Sequence, residues 1–148
     1  MALADEIRRF AAVPILRELE PEALRLIAFS AETRILQAGD RLFGEGEPSE
    51  GGFVVISGSL ALTSASAGKP SRAVAGPASL LGEMALIADV AYPLTATAQE
   101  TVTVLKISRA LFHRVLGEFP DAAVRVHRLI AGRLAEFAGE LERFASSR

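Results

Sequence analysis

Gly39-Asp40-Arg41-Leu42-Phe43-Gly44-Glu45-Gly46-Glu47, followed by Phe53-Val54-Val55-Ile56-Ser57-Gly58-Ser59-Leu60, is the stretch on which the fold turns. Short apolar runs alternate in it with glycine turns, and glycine supplies the positive φ that a tight turn between strands demands. The same rhythm continues on both sides. Ile35-Leu36 precedes Ala38-Gly39-Asp40, Leu60-Ala61-Leu62 runs to a turn near Gly68-Lys69-Pro70, and Ala73-Val74-Ala75 ends at Gly76-Pro77. After a break, Leu94-Thr95-Ala96-Thr97-Ala98 and Val102-Thr103-Val104-Leu105-Lys106-Ile107 resume it, the second with clean alternation. Strands this short, at roughly ten-residue spacing, predict a β-sandwich or roll. It covers about residues 33–107.

Helical spacing flanks this region. Leu3, Ile7 and Phe10 fall on one face, Pro14 interrupts, and Pro21-Glu22 suits a first helical turn before Ala23, Leu24, Ile27 and Ala28. The N-terminal helices are therefore expected over about residues 3–30. Beyond the strands, Ser108 is a good N-cap for a helix from Arg109 to about Gly117, and Phe119-Pro120-Asp121 breaks and restarts it. Ala123, Val126, Ile130, Leu134, Phe137, Leu141 and Phe144 then recur three or four residues apart, so the C-terminal helices should occupy about 109–145. The order is helices, roll, helices, in one domain spanning 1–148.

Composition narrows the function classes. Half of the 148 residues are hydrophobic and 23% are charged, which is globular and not disordered. There is no cysteine, hence no thiolate metal or redox chemistry. A net charge of −2 gives no basic field for nucleic acid. No apolar run approaches the roughly 18 to 20 residues that span a bilayer, and the start carries Asp5 and Glu6 where a signal peptide needs basic residues. A cytoplasmic protein is expected, without membrane or DNA contacts, since no DNA-reading helix pair fits after the long helix. His113 and His127 lack an acidic partner at metal spacing, and no nucleophile elbow or Ser-His-Asp signature occurs, so no metal site and no enzyme are expected.

The segment that carries chemistry is Leu81-Gly82-Glu83-Met84-Ala85-Leu86-Ile87, with Leu94-Thr95-Ala96-Thr97-Ala98 after it. Gly82 lets the backbone approach a ligand. Residues 83–85 begin a short helical turn whose N–H groups would point outward and make an anion site. Read alone, Glu83 is equally an acid complementing a helix start, Tyr92 a packing residue, and Thr95 and Thr97 ordinary strand residues sharing a face.

This segment and the glycine-spaced hairpins together resemble the cyclic-nucleotide-binding domain family over roughly residues 15–145. The resemblance implies an α+β, mainly β fold: a double-stranded β-helix, or jelly-roll-like β-roll, with N-terminal helices and a long C-terminal helix. It implies that residues 81–87 are a phosphate-binding cassette, that Glu83 accepts a hydrogen bond from a ribose 2′-hydroxyl, and that the ligand is cAMP or cGMP. It also implies an arginine about nine residues beyond the cassette glutamate, paired with the phosphate. That position holds Tyr92; no arginine stands between Arg72 and Arg109, and the lone lysine there, Lys106, reads as a solvated strand residue.

Losing a bidentate arginine–phosphate pair would weaken a nucleotide by about 2 to 5 kcal/mol, on the order of 30- to several-thousand-fold. Candidate ligand-binding residues are Gly82, Glu83, Met84, Ala85, Tyr92 and Thr95. Three readings of the pocket stay open. Backbone N–H groups, Tyr92 and Thr95 hold a nucleotide weakly; another ligand, such as a neutral one, takes its place; or Tyr92 and Leu94 close the pocket. The expected function is a stand-alone regulatory ligand-sensing module with weak or altered cyclic nucleotide binding, reporting through its C-terminal helix. The rival is a degenerate domain serving as a protein-interaction or dimerisation scaffold without a nucleotide ligand. The stripe Val126, Ile130, Leu134, Phe137, Leu141 suits a homodimer seam, with Arg133 able to reach the pocket or an acid of a partner.

Overall fold

The computed structural model describes residues 13–65 and 71–132. A single 3₁₀ turn, Leu16–Glu18, leads into helix α1, Pro21–Ser30. Pro21 stands in the first turn, where its missing N–H costs nothing, and Ala23, Leu24, Ile27 and Ala28 form the buried face. The expected helix around Leu3, Ile7 and Phe10 lies outside the described residues.

Among the described residues eight strands follow: β1 Glu32–Leu36, β2 Arg41–Phe43, β3 Gly51–Ser57, β4 Leu60–Ser64, β5 Ser71–Ala75, β6 Leu80–Leu81, β7 Thr95–Ala98 and β8 Val102–Ser108. They make two four-stranded antiparallel sheets, in the orders β1-β8-β3-β6 and β2-β7-β4-β5. This is the expected β-roll, with helices flanking it. Gly58 joins β3 to β4 at φ +84°, and a Cβ there would stand 2.4 Å from the Thr101 carbonyl oxygen, so the turn requires glycine. Helix α2, Arg109–Glu118, follows β8 directly, and the Ser108 hydroxyl caps it by accepting from the Leu111 N–H at 3.1 Å. Helix α3 runs from 120 to 132, the last described residue.

Two cores sit on opposite sides of the first sheet. Inside the roll, Phe43, Phe53, Val55, Leu60, Ala96, Val102 and Val104 pack between the sheets. Outside it, Ile15, Leu16, Ile27, Val54, Leu105, Ile107, Phe112, Val126 and Ile130 pack among the helices. Strands β3 and β8 are therefore covered on both faces. That explains why β8 departs from clean alternation: Val104 and Leu105 are neighbours and both buried, one in each core. Lys106 also differs from its sequence reading. Its side chain is only 15% exposed and reaches Glu50 at 2.9 Å, which lets a long aliphatic stem lie along the sheet while the ammonium finds a carboxylate. That hydrogen bond, and the charge behind it, hold the Glu50 carboxyl below its ordinary value.

Val126 and Ile130, the first members of the C-terminal stripe after Ala123, are buried in this chain's own helical core. Leu134, Phe137, Leu141, Phe144 and Arg133 lie outside the described residues. The start of α3 is tied to the N-terminal segment by Arg125, whose guanidinium donates to the Glu18 carbonyl at 2.8 Å and to the Glu20 carboxylate.

Candidate functional site

β6 ends at Leu81, and the chain turns at Gly82 with φ +75°. A Cβ on Gly82 would meet the Tyr92 ring at 3.0 Å and the Gly51 carbonyl at 3.2 Å, so only glycine allows strand and ring to approach this closely. The 3₁₀ turn Met84–Leu86 follows. The Ala85 N–H donates to the Gly82 carbonyl at 3.0 Å, Leu86 N–H to Glu83 at 3.1 Å, and Ile87 N–H to Met84 at 3.1 Å. Of the N–H groups at 83–85 expected to point outward, that of Ala85 is turned back into the protein by this tight i to i+3 bond.

The return segment is fixed by pairing with the 44–48 loop. Tyr92 N–H donates to the Glu47 carbonyl at 3.0 Å, and Gly46 N–H to the Tyr92 carbonyl at 2.8 Å. The Tyr92 ring stacks on Phe43, centroids 4.0 Å apart, and its hydroxyl donates to the Gly51 carbonyl at 2.8 Å. Burial raises the pKa of this phenol above its ordinary value of 10.0. Thr95, on β7, is half-buried and its hydroxyl accepts the Glu45 N–H at 2.9 Å.

Between these segments lies a cavity of about 690 Å³. Gly82, Glu83, Met84, Ala85 and Tyr92 all line it, as does Leu94; Thr95 stands beyond its wall, holding the 44–48 loop. Phe43 from β2, Leu62 from β4, Leu80 from β6 and Val90 complete the described lining with Leu81, Ala91 and Pro93. Their part in the wall has no local sequence signal, since it arises only when β2, β4 and the cassette close on one another. Among the described lining residues Glu83 is the one charged side chain, and none is Lys, Arg or His.

Arg109 works behind the cassette and not inside the cavity. Its guanidinium donates to the carbonyls of Ala85 at 2.9 Å and Ala88 at 3.0 Å, and to the Ser49 carbonyl and hydroxyl at 2.9 and 2.8 Å. Ser49, itself buried, donates its hydroxyl to the Val90 carbonyl. Beside it, His113 Nε2 donates to the Ile87 carbonyl at 3.1 Å, because a carbonyl can only accept. The first turn of α2 is thus bonded to the cassette turn at several points. Among the described residues no His/Cys/Asp/Glu cluster could hold a metal, and no helix is long and apolar enough to cross a membrane.

The family model described as the cyclic nucleotide-binding domain matches residues 33–119, which take in all but the first residue of the roll and the whole of α2. The chain belongs to the cyclic nucleotide-binding domain family. A solved cyclic nucleotide-binding-like protein from Brucella abortus is 36% identical, with a TM-score of 0.69, over 76% of this chain and 98% of that one. A cyclic nucleotide-gated potassium channel of Mesorhizobium japonicum is 32% identical over 113 residues, 76% of this chain and 30% of the channel. A lysophospholipase of Neurospora crassa is 29% identical over 130 residues, 86% of this chain and 9% of that protein. The chain spans less than a third of the length of either curated relative. In the enzyme relative the similarity is thus confined to a small part of the whole. Arg109 ties the segment from Ala85 to Ala88, which borders the cavity, to α2.

Proposed function

We propose that the chain is a regulatory ligand-sensing module of cyclic nucleotide-binding fold in which cAMP and cGMP bind weakly. The make-up of the cavity wall carries this reading: one carboxylate, Glu83, with no Lys, Arg or His among the described lining residues. Tyr92, in the place of the family's arginine, has its hydroxyl committed to the Gly51 carbonyl. A cyclic phosphate brought into this wall would be desolvated without a cation among the described lining residues to meet it. The ligand-binding residues in this reading are Gly82, Glu83, Met84, Ala85 and Tyr92, with Thr95 positioning the 44–48 loop. Occupancy is reported through Arg109 and His113, which bond the cassette turn to α2. The receiver is a protein partner or a second copy meeting the C-terminal helix. The module works in the cytoplasm, a setting that suits a composition without cysteine.

A thermal-shift titration with each nucleotide to millimolar concentration tests it, because native-state binding raises the midpoint by mass action. The reading expects no shift, or one still unsaturated at the highest concentration. A shift saturating at micromolar nucleotide would overturn it.

A second reading, a dimerisation or interaction scaffold without a nucleotide ligand and with no enzymatic activity of its own, is favoured by Tyr92. Its ring fills the space beside Gly82 and leaves only 6% of the residue exposed. Analytical ultracentrifugation tests the dimerisation scaffold, which requires a stable assembly without added ligand; a strictly monomeric chain would count against it.

A further inference from the structure

We propose that the cavity takes an uncharged, mainly apolar small molecule, a ligand class different from the cyclic nucleotides. This deepens the ligand-sensing reading and rests on it. Phe43, Leu62, Leu80, Met84, Val90 and Leu94 supply most of the wall. A volume of about 690 Å³ is within the range of pockets that enclose drug-sized molecules. Met84 adds an adaptable thioether that can follow the outline of a ring or branched chain.

The polar groups nearby select against an anion. Two donors beside the cavity are turned to the protein itself: Tyr92 hydroxyl to Gly51, and Ala85 N–H to Gly82. The Arg109 guanidinium is bonded to the carbonyls of Ala85, Ala88 and Ser49, away from the cavity. The one charge on the described wall is a carboxylate. An anionic ligand would therefore lose its hydration and gain no opposite charge from the described wall, whereas a neutral one gains from the burial of apolar surface alone.

The test is a matched pair of fluorescent probes on one skeleton: phenylnaphthylamine, which is neutral, and anilinonaphthalene sulfonate, its anionic relative. Each is titrated into the wild-type chain, into Leu62→Arg on the wall, and into Val90→Arg on the rim. Val90 is 38% exposed, so the second variant preserves the test if the first fails to fold. The neutral probe is expected to saturate at one per chain, with a dissociation constant on the order of tenfold below that of the sulfonate. It should lose at least about that factor in a folded arginine variant, while the sulfonate gains. Equal or tighter binding of the sulfonate to wild type would overturn the ligand class and leave a working ligand cavity. Saturation by neither probe would overturn both the class and the sensing reading. Neutral binding indifferent to both substitutions would place the probe elsewhere and overturn the proposal.

Discussion

The Tyr92 and Phe43 rings lie nearly parallel, centroids 4.0 Å apart and planes 12° apart, and the stack directs the Tyr92 hydroxyl to the Gly51 carbonyl. Tyr92 is therefore part of the roll's core. Its polar atom links the cassette side to β3 and leaves the cavity an apolar wall.

Alkaline pH should reveal this burial. The Tyr92 pKa is raised above 10.0, so the folded state keeps its proton at pH values where the unfolded chain has lost it. Its contribution is fully present below pH 10.0 and is lost as pH rises through the higher folded value. Tyr92 is the chain's only tyrosine and there is no tryptophan, so phenolate absorbance reports this one group. The expected titration midpoint lies above that of the urea-unfolded chain, and Tyr92→Phe should make stability less dependent on pH in this window. Identical midpoints folded and unfolded would contradict the buried geometry.

At neutral pH, Tyr92→Phe leaves the Gly51 carbonyl without its donor. The expected loss is about 1–3 kcal/mol, the cost of an unsatisfied buried group. Urea unfolding measures it, and a neutral substitution would mean that water reaches Gly51.

Gly82→Ala combines a φ of +75° with a Cβ 3.0 Å from the Tyr92 ring. A loss of about 1–3 kcal/mol is expected from the backbone conformation and the displaced ring. Calorimetric melting tests this; an unchanged midpoint would show that the turn can relax to negative φ.

Arg109→Ala removes the donors holding the Ala85, Ala88 and Ser49 carbonyls. Arg109 is about one-fifth exposed, so the cost should be about 2–4 kcal/mol after allowing for solvent. Amide exchange should speed up most at residues 85–88, where the turn loses its anchor. Uniform acceleration across the roll would show a global effect and no specific hold on the cassette.

Much of this architecture was legible in local sequence because its causes are local. Gly39, Gly46, Gly58 and Gly82 all adopt positive φ, and Ser108 caps α2 through the next turn's N–H. What escaped local reading depends on distant neighbours. The alternation in β8 looked like a one-sided strand until helices covered its second face. Lys106 looked solvated until Glu50 came within 2.9 Å across the sheet. The roles of Tyr92 and Arg109 are set by Phe43 and Ser49, which only the closed roll brings beside them. The missing arginine was plain in the sequence, whereas the apolar wall facing the cassette was not.

The central claim is that a cassette with no cation on the described wall is a poor host for a cyclic phosphate. It is tested most directly by calorimetric titration of cAMP into the wild-type chain and into Leu94→Arg, which places a guanidinium on the wall beside Tyr92. The account predicts a millimolar or undetectable constant for wild type and a gain of at least about tenfold in the variant. Micromolar binding by wild type, unaltered by the arginine, would contradict it.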